Sequence, residues 1–194
     1  MEDRVNQQKI VSDAEIGWLA GFLEGDGFIT MSAQKAAKKK KDGGLVVVPK
    51  IGFCNSDALL IEKAKNICQK ISGGGCWINE SKCGTYPTST LTMLNLTVTR
   101  LSACQKILES IIPHLGGQKI ARARLLLDFI NKRLSHSHCP YDSDEIGLIK
   151  TFILNHVDKT KGPYRGKALL KFLNDYTPDM PRPRNESGRF TSAA

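Results

Sequence analysis

Trp18-Leu19-Ala20-Gly21-Phe22-Leu23-Glu24-Gly25-Asp26-Gly27-Phe28 reads as an apolar helix that ends in a carboxylate and, counting Gly17 just before it, carries a glycine at every fourth position. Each interior glycine costs a helix about 1 kcal/mol relative to alanine, so this spacing asks for an offsetting contact. Gly17, Gly21 and Gly25, at i, i+4 and i+8, form one nearly continuous stripe, and small residues let a second helix pack tightly. Asp26 closes the stripe at the carbonyl end of the helix, where partial negative charge already disfavours a carboxylate. If a second copy of the helix lies alongside, two such carboxylates converge. A hard divalent cation between them resolves the repulsion, most simply Mg²⁺, or Mn²⁺ in the same role. Glu24 lies two residues away, about 200° around the helix, so only one of the two acids faces that ion.

Outward from this helix, Ser12-Asp13-Ala14-Glu15 has the spacing of a capping box and marks the helix start, leaving 1–11 as an N-terminal arm. From 28 to 34, Ile29, Met31 and Ala33 alternate with Thr30, Ser32 and Gln34, the pattern of a strand with one polar face. A lysine-rich stretch ending in Asp42-Gly43-Gly44 supplies a turn, and the valine-rich 45–55 is the second strand of a hairpin. Helical spacing follows over 56–71, with Ser56 or Asp57 as cap and Gly73-Gly74-Gly75 as terminator. A second hairpin is expected over 76–82 and 90–99, then helices over 101–115, interrupted near Pro113, and over 120–134. The order αββαββα predicts an α+β fold with a core over 12–135, in which an antiparallel sheet carries helices on one face and leaves the other polar and exposed. Two more amphipathic helices, over 142–157 and 165–176, read as a C-terminal helical extension of the same domain (136–177), and 178–194 as a flexible tail.

The exposed sheet face is expected to present Thr30, Ser32, Gln34, Lys50, Asn79, Asn95 and Thr97, polar groups suited to reading base edges in a major groove. Lys and Arg outnumber Asp and Glu 28 to 19, giving a net charge of +9 and a pI near 9.3. That balance favours a polyanionic partner, double-stranded DNA first. Lys35, Lys38, Lys39, Lys40 and Lys41 at the first hairpin tip are expected to clamp phosphates, adding affinity and salt sensitivity without sequence information, and Lys82 is a further DNA-binding candidate. No apolar run approaches the roughly 20 residues of a membrane span, and Met1-Glu2-Asp3-Arg4 lacks a secretory pattern. An intracellular protein with no membrane partner is expected, in an organelle (chloroplast or mitochondrion) or in bacterial or archaeal cytoplasm. The six cysteines lack paired Cys-x-x-Cys spacing and read as reduced, mostly buried thiols. His136-Ser137-His138-Cys139 on one loop does not complete a tetrahedral zinc site without partners elsewhere.

Leu19-Ala20-Gly21-Phe22-Leu23-Glu24-Gly25-Asp26-Gly27 resembles the nine-residue motif that names the LAGLIDADG homing endonucleases, with conservative changes at the apolar and first acidic places. The resemblance implies a saddle-shaped sheet and a metal-dependent endonuclease that makes a staggered double-strand cut in a long pseudo-palindromic DNA target. It implies Asp26 as the metal-binding carboxylate, the Gly25 carbonyl as a further metal ligand and Glu24 as structural. Lys119, in Gly116-Gly117-Gln118-Lys119, matches the family's usual lysine, with Gln118 the neighbouring candidate. Asn55 aligns with a position that often holds a water-ordering amide, usually Gln, while the family's additional basic residue after that strand is not evident near Leu59. No second motif follows Phe28, so the chain supplies half a site and resembles the single-motif members that act as homodimers. Two rival readings use the same residues. One is an intron maturase or RNA/DNA-binding protein on this scaffold without cleavage, with intron RNA as partner. The other is a restriction-type site from Asp57 with Glu80-Ser81-Lys82, a short pattern that often arises by chance.

Overall fold

The structure is a computed structural model and describes residues 11–35, 45–82, 92–135 and 141–156. In chain order these form α1 (Asp13–Asp26), β1 (Gly27–Lys35), β2 (Leu45–Asn55), α2 (Ala58–Ser72), β3 (Cys76–Lys82), β4 (Thr92–Val98), α3 (Leu101–Ile111), α4 (Gly117–Ser135) and α5 (Ser143–His156). The expected order is present. The chain leaves α3 through a 3-10 turn, Ile112–His114, built around Pro113, whose missing N–H cannot continue a helix.

Local chemistry fixes the helix ends. At α1 the Glu15 amide donates to Ser12 Oγ (3.3 Å) and the Ser12 amide to Glu15 Oε2 (3.0 Å), the reciprocal pair of a capping box. At α2 it is Asp57, not Ser56, that accepts from the Leu59 amide at 2.8 Å, and Gly73 closes the helix in the left-handed region at φ 76°. α4 begins at Gly117, three residues earlier than its apolar spacing suggests, which places Gln118 and Lys119 inside the first turn.

All strand neighbours are antiparallel in the order β1-β2-β4-β3. Alternation sends Ile29, Met31, Val47, Ile51, Phe53, Leu96 and Val98 into the core. There they meet Leu19 and Leu23 of α1, Ile61 and Ile67 of α2, and Ile107, Leu108 and Ile111 of α3. Phe22 stacks on Phe53 with ring centroids 5.5 Å apart, tying α1 to the sheet. Among the described cysteines Cys68, Cys76 and Cys104 are free thiols, and burial pushes the Cys104 thiol up to about 12. Cys83, Cys139 and the His136-Ser137-His138 stretch lie outside the described residues.

α5 is tied to the rest of the chain. The Val47 amide donates to the Tyr141 hydroxyl at 2.8 Å, Arg133 of α4 lies over the Tyr141 ring, and Arg133 reaches the fully buried Glu145 at 3.5 Å. Asp142 and Glu145 form a second capping box. The expected helix over 165–176, the arm before 11 and the tail lie outside the described residues. Among the described residues no helix is long and apolar enough to cross a membrane.

Candidate active site and nucleic-acid interface

α1 runs into β1 with no linker, and Gly27 makes the junction possible: a Cβ there would lie 2.4 Å from Leu23 Cδ1 and 2.7 Å from the Leu23 backbone. The junction leaves Asp26 exposed at the tip of α1. Asn55, at the end of β2, donates from Nδ2 to Asp26 Oδ2 at 2.7 Å, and its Oδ1 accepts from the Asp57 amide at 2.8 Å. One carboxylate oxygen is thereby fixed through Asn55 to the start of α2.

Lys119 reaches the same tip from α4. Its ammonium donates to the carbonyls of Leu23 (2.5 Å), Glu24 (2.7 Å) and Gly27 (2.8 Å). These groups form the negative end of α1, so Lys119 neutralises the helix dipole where Asp26 adds a charge. Burial holds the Lys119 ammonium below the ordinary lysine range; Glu24 and Asp26 oppose the shift, and Arg122 reinforces it. Glu24 turns away from Asp26 and accepts from the Gly116 amide at 3.0 Å, pinning the loop that delivers Lys119.

The sequence candidates Asp26, Asn55, Lys119 and Gly25 therefore converge at one helix tip, and Lys119 passes over the Gly25 carbonyl. Gln118 is adjacent through the backbone of α4. Asp57 spends its carboxylate on capping α2. Among the described residues no group of three or more His, Cys, Asp or Glu could hold a metal ion. The glycine stripe is open among the described residues: a Cβ at Gly17, Gly21 or Gly25 would meet nothing within 4 Å. It lies away from the fully buried Leu19, Ala20 and Leu23.

Strand register places Thr30 opposite Lys50, Ser32 opposite Val48 and Gln34 opposite Val46. On the other hairpin Asn79 lies opposite Asn95, and Thr97 lies between Gly52 and Trp77. Thr30, Ser32, Lys50, Asn79, Asn95 and Thr97 thus share the face turned away from the core. The backbone register pairs Lys35 with Leu45 and Lys82 with Thr92. Lys38, Lys39, Lys40 and Lys41 lie outside the described residues.

The open face is also less polar than expected. Trp77 is 64% exposed on it, and the Phe28 ring covers Gly52, where a Cβ would lie 2.2 Å from Phe28 Cζ. The signal for Trp77 was its alternation with Ile78 in the same register as Asn79.

No protein-family profile and no curated protein matches the sequence; the likeness is structural. A crystal structure of the homing endonuclease I-CvuI in complex with its target in the presence of Ca superposes with a TM-score of 0.60 at 20% identity, covering 84% of this chain and 94% of that one. The group I intron-encoded homing endonuclease I-CeuI complexed with DNA gives 0.56 at 17% identity, over 84% and 78% of the two chains. The LAGLIDADG homing endonuclease I-GzeII in complex with a DNA target gives 0.56 at 18% identity, covering 88% of this chain but 53% of that one. The four-stranded antiparallel sheet with its five helices, entered through a glycine-striped helix that ends in Asp26, is the LAGLIDADG homing endonuclease fold.

Proposed function

We propose that two copies of this chain pair along the open faces of their α1 helices and act as a site-specific DNA endonuclease, cutting both strands of a long pseudo-palindromic target. The observation that carries this reading is the exposed Asp26, held by Asn55 at the end of a glycine stripe that nothing among the described residues covers. A chain that spans 94% of I-CvuI but 53% of I-GzeII supports the view that one copy is half of a working unit.

In the pair, Asp26 and the Gly25 carbonyl of each chain would hold divalent cations, Mg²⁺ or Mn²⁺, at the seam, which when bound would supply charge neutralisation at the scissile phosphate and a more acidic water. Asn55 is a positioning residue: its donated hydrogen bond fixes one oxygen of Asp26 and leaves the other for the ligand. Lys119 steadies the tip. Thr30, Ser32, Gln34, Lys50, Asn79, Asn95 and Thr97 meet base edges, Trp77 supplies an apolar surface for thymine methyls, and Lys38 to Lys41 clamp phosphates. The protein works inside a cell or organelle, where such DNA is found.

The test is selection from a randomised duplex library in Mg²⁺, in Ca²⁺ and in EDTA, with intron RNA as competitor. A single set of long related sites, bound in Ca²⁺ and cut on both strands only with Mg²⁺, is the expected result. Cutting that persists in EDTA, or tight binding to the RNA with no DNA site recovered, would overturn the reading.

A further inference from the structure

Phosphodiester hydrolysis builds negative charge on the non-bridging phosphate oxygens, and a site that speeds it aims unspent hydrogen-bond donors at them. Lys119 has none left. An ammonium carries three N–H bonds, and all three end on carbonyls of the α1 tip. The next cation along α4 is Arg122, three residues on and hence on the same helix face, about 4.5 Å further along the axis.

Arg122 is unusual in its surroundings. No carboxylate pairs with it among the described residues, and its Nε is buried with no hydrogen-bond partner. Its charge lies close enough to the Lys119 ammonium to disfavour the protonated lysine. Lys119 thus stands near both Arg122 and the carboxylates Glu24 and Asp26, with all its own donors used, while Arg122 keeps an unspent Nε donor, which an anion's oxygen satisfies.

We propose that Arg122 is the phosphate-contacting cation of the cleavage site: its guanidinium donates to a non-bridging oxygen of the scissile phosphate, while Lys119 is a positioning residue for the α1 tip. The proposal rests on the nuclease reading above. In the step itself water oxygen bonds to phosphorus and gives up a proton to solvent, the bond from phosphorus to the 3′ oxygen breaks, and that oxygen leaves as a hydroxyl after taking a proton from solvent. Arg122 gains and loses no proton. Its forked donors fit a phosphate better than a lysine's point charge does.

The experiment compares wild type, Arg122→Gln and Arg122→Lys on a duplex recovered by the library selection, with single-turnover cleavage in Mg²⁺, Kd in Ca²⁺ and thermal melting of each variant. Arg122→Gln should cut at least about 100-fold more slowly with Kd within about threefold and an unchanged melting temperature, and Arg122→Lys should recover about tenfold of the rate. A methylphosphonate isomer replacing the contacted oxygen should slow wild type and add little to the Arg122→Gln defect. Cleavage by Arg122→Gln within threefold of wild type, a rate loss matched by lost binding or lost stability, or an Arg122→Lys variant no faster than Arg122→Gln would overturn the assignment. If wild type cuts no recovered duplex, the nuclease reading itself fails.

Discussion

Replacing Gly21 by alanine separates what a single chain favours from what a pair requires. In one protomer the new methyl group meets nothing within 4 Å, and alanine raises helix stability by about 1 kcal/mol. That gain is present in free and paired chains alike, so it leaves association untouched. Across a twofold seam the methyl enters the contact once from each chain, and overpacking costs about 1–3 kcal/mol per site. Association should therefore weaken by about 2–6 kcal/mol, roughly 30-fold to 10⁴-fold in the dimer dissociation constant. Sedimentation velocity over a concentration series, paired with thermal melting of the monomeric fraction, reads both effects. The expected result is a monomer that melts higher and a dimer that forms only at much higher concentration, with cleavage falling in step. A Gly21→Ala protein that dimerises like wild type would refute the assignment of this stripe to the seam.

Gly27→Ala should be strongly destabilising, by about 2–3 kcal/mol or more in urea titration, because its Cβ would lie within 2.7 Å of the Leu23 backbone and the junction cannot widen without moving β1. Lys119→Met should lower the urea midpoint by an amount equivalent to about 2 kcal/mol, since it strips charged donors from three carbonyls that water can only partly resolvate. Glu15 is held at about 2, below its ordinary 4.5, by the Lys70 ammonium and by Ser12. Its depressed value means the stabilising contribution is complete above pH 4.5 and fades as pH falls toward 2. Acid titration of stability should accordingly be flatter in Glu15→Gln, and raising the salt should shrink the difference.

What the sequence disclosed was mostly local. The capping box at Ser12, the alternation from Ile29 to Gln34 and the glycine spacing of α1 depend on neighbours a few residues away, and each appears where its pattern places it. The tip of α1 was legible only as a set of candidates. Asn55 bonds Asp26 across 29 positions of chain and Lys119 reaches carbonyls 92–96 positions away, separations that no periodicity encodes. The same limit hid the pairing of β2 with β4. Trp77 escaped because its size suggests a core residue, yet its register puts it on the open face.

Asp26→Asn on a library-selected duplex tests the central claim most directly, because the amide keeps the shape of the carboxylate while removing its charge. Cleavage in Mg²⁺ should vanish, and the variant should still hold the same duplex with two chains per DNA. Double-strand cutting at the wild-type rate, or one chain sufficing for both binding and cutting, would contradict a site built from two converging acid tips.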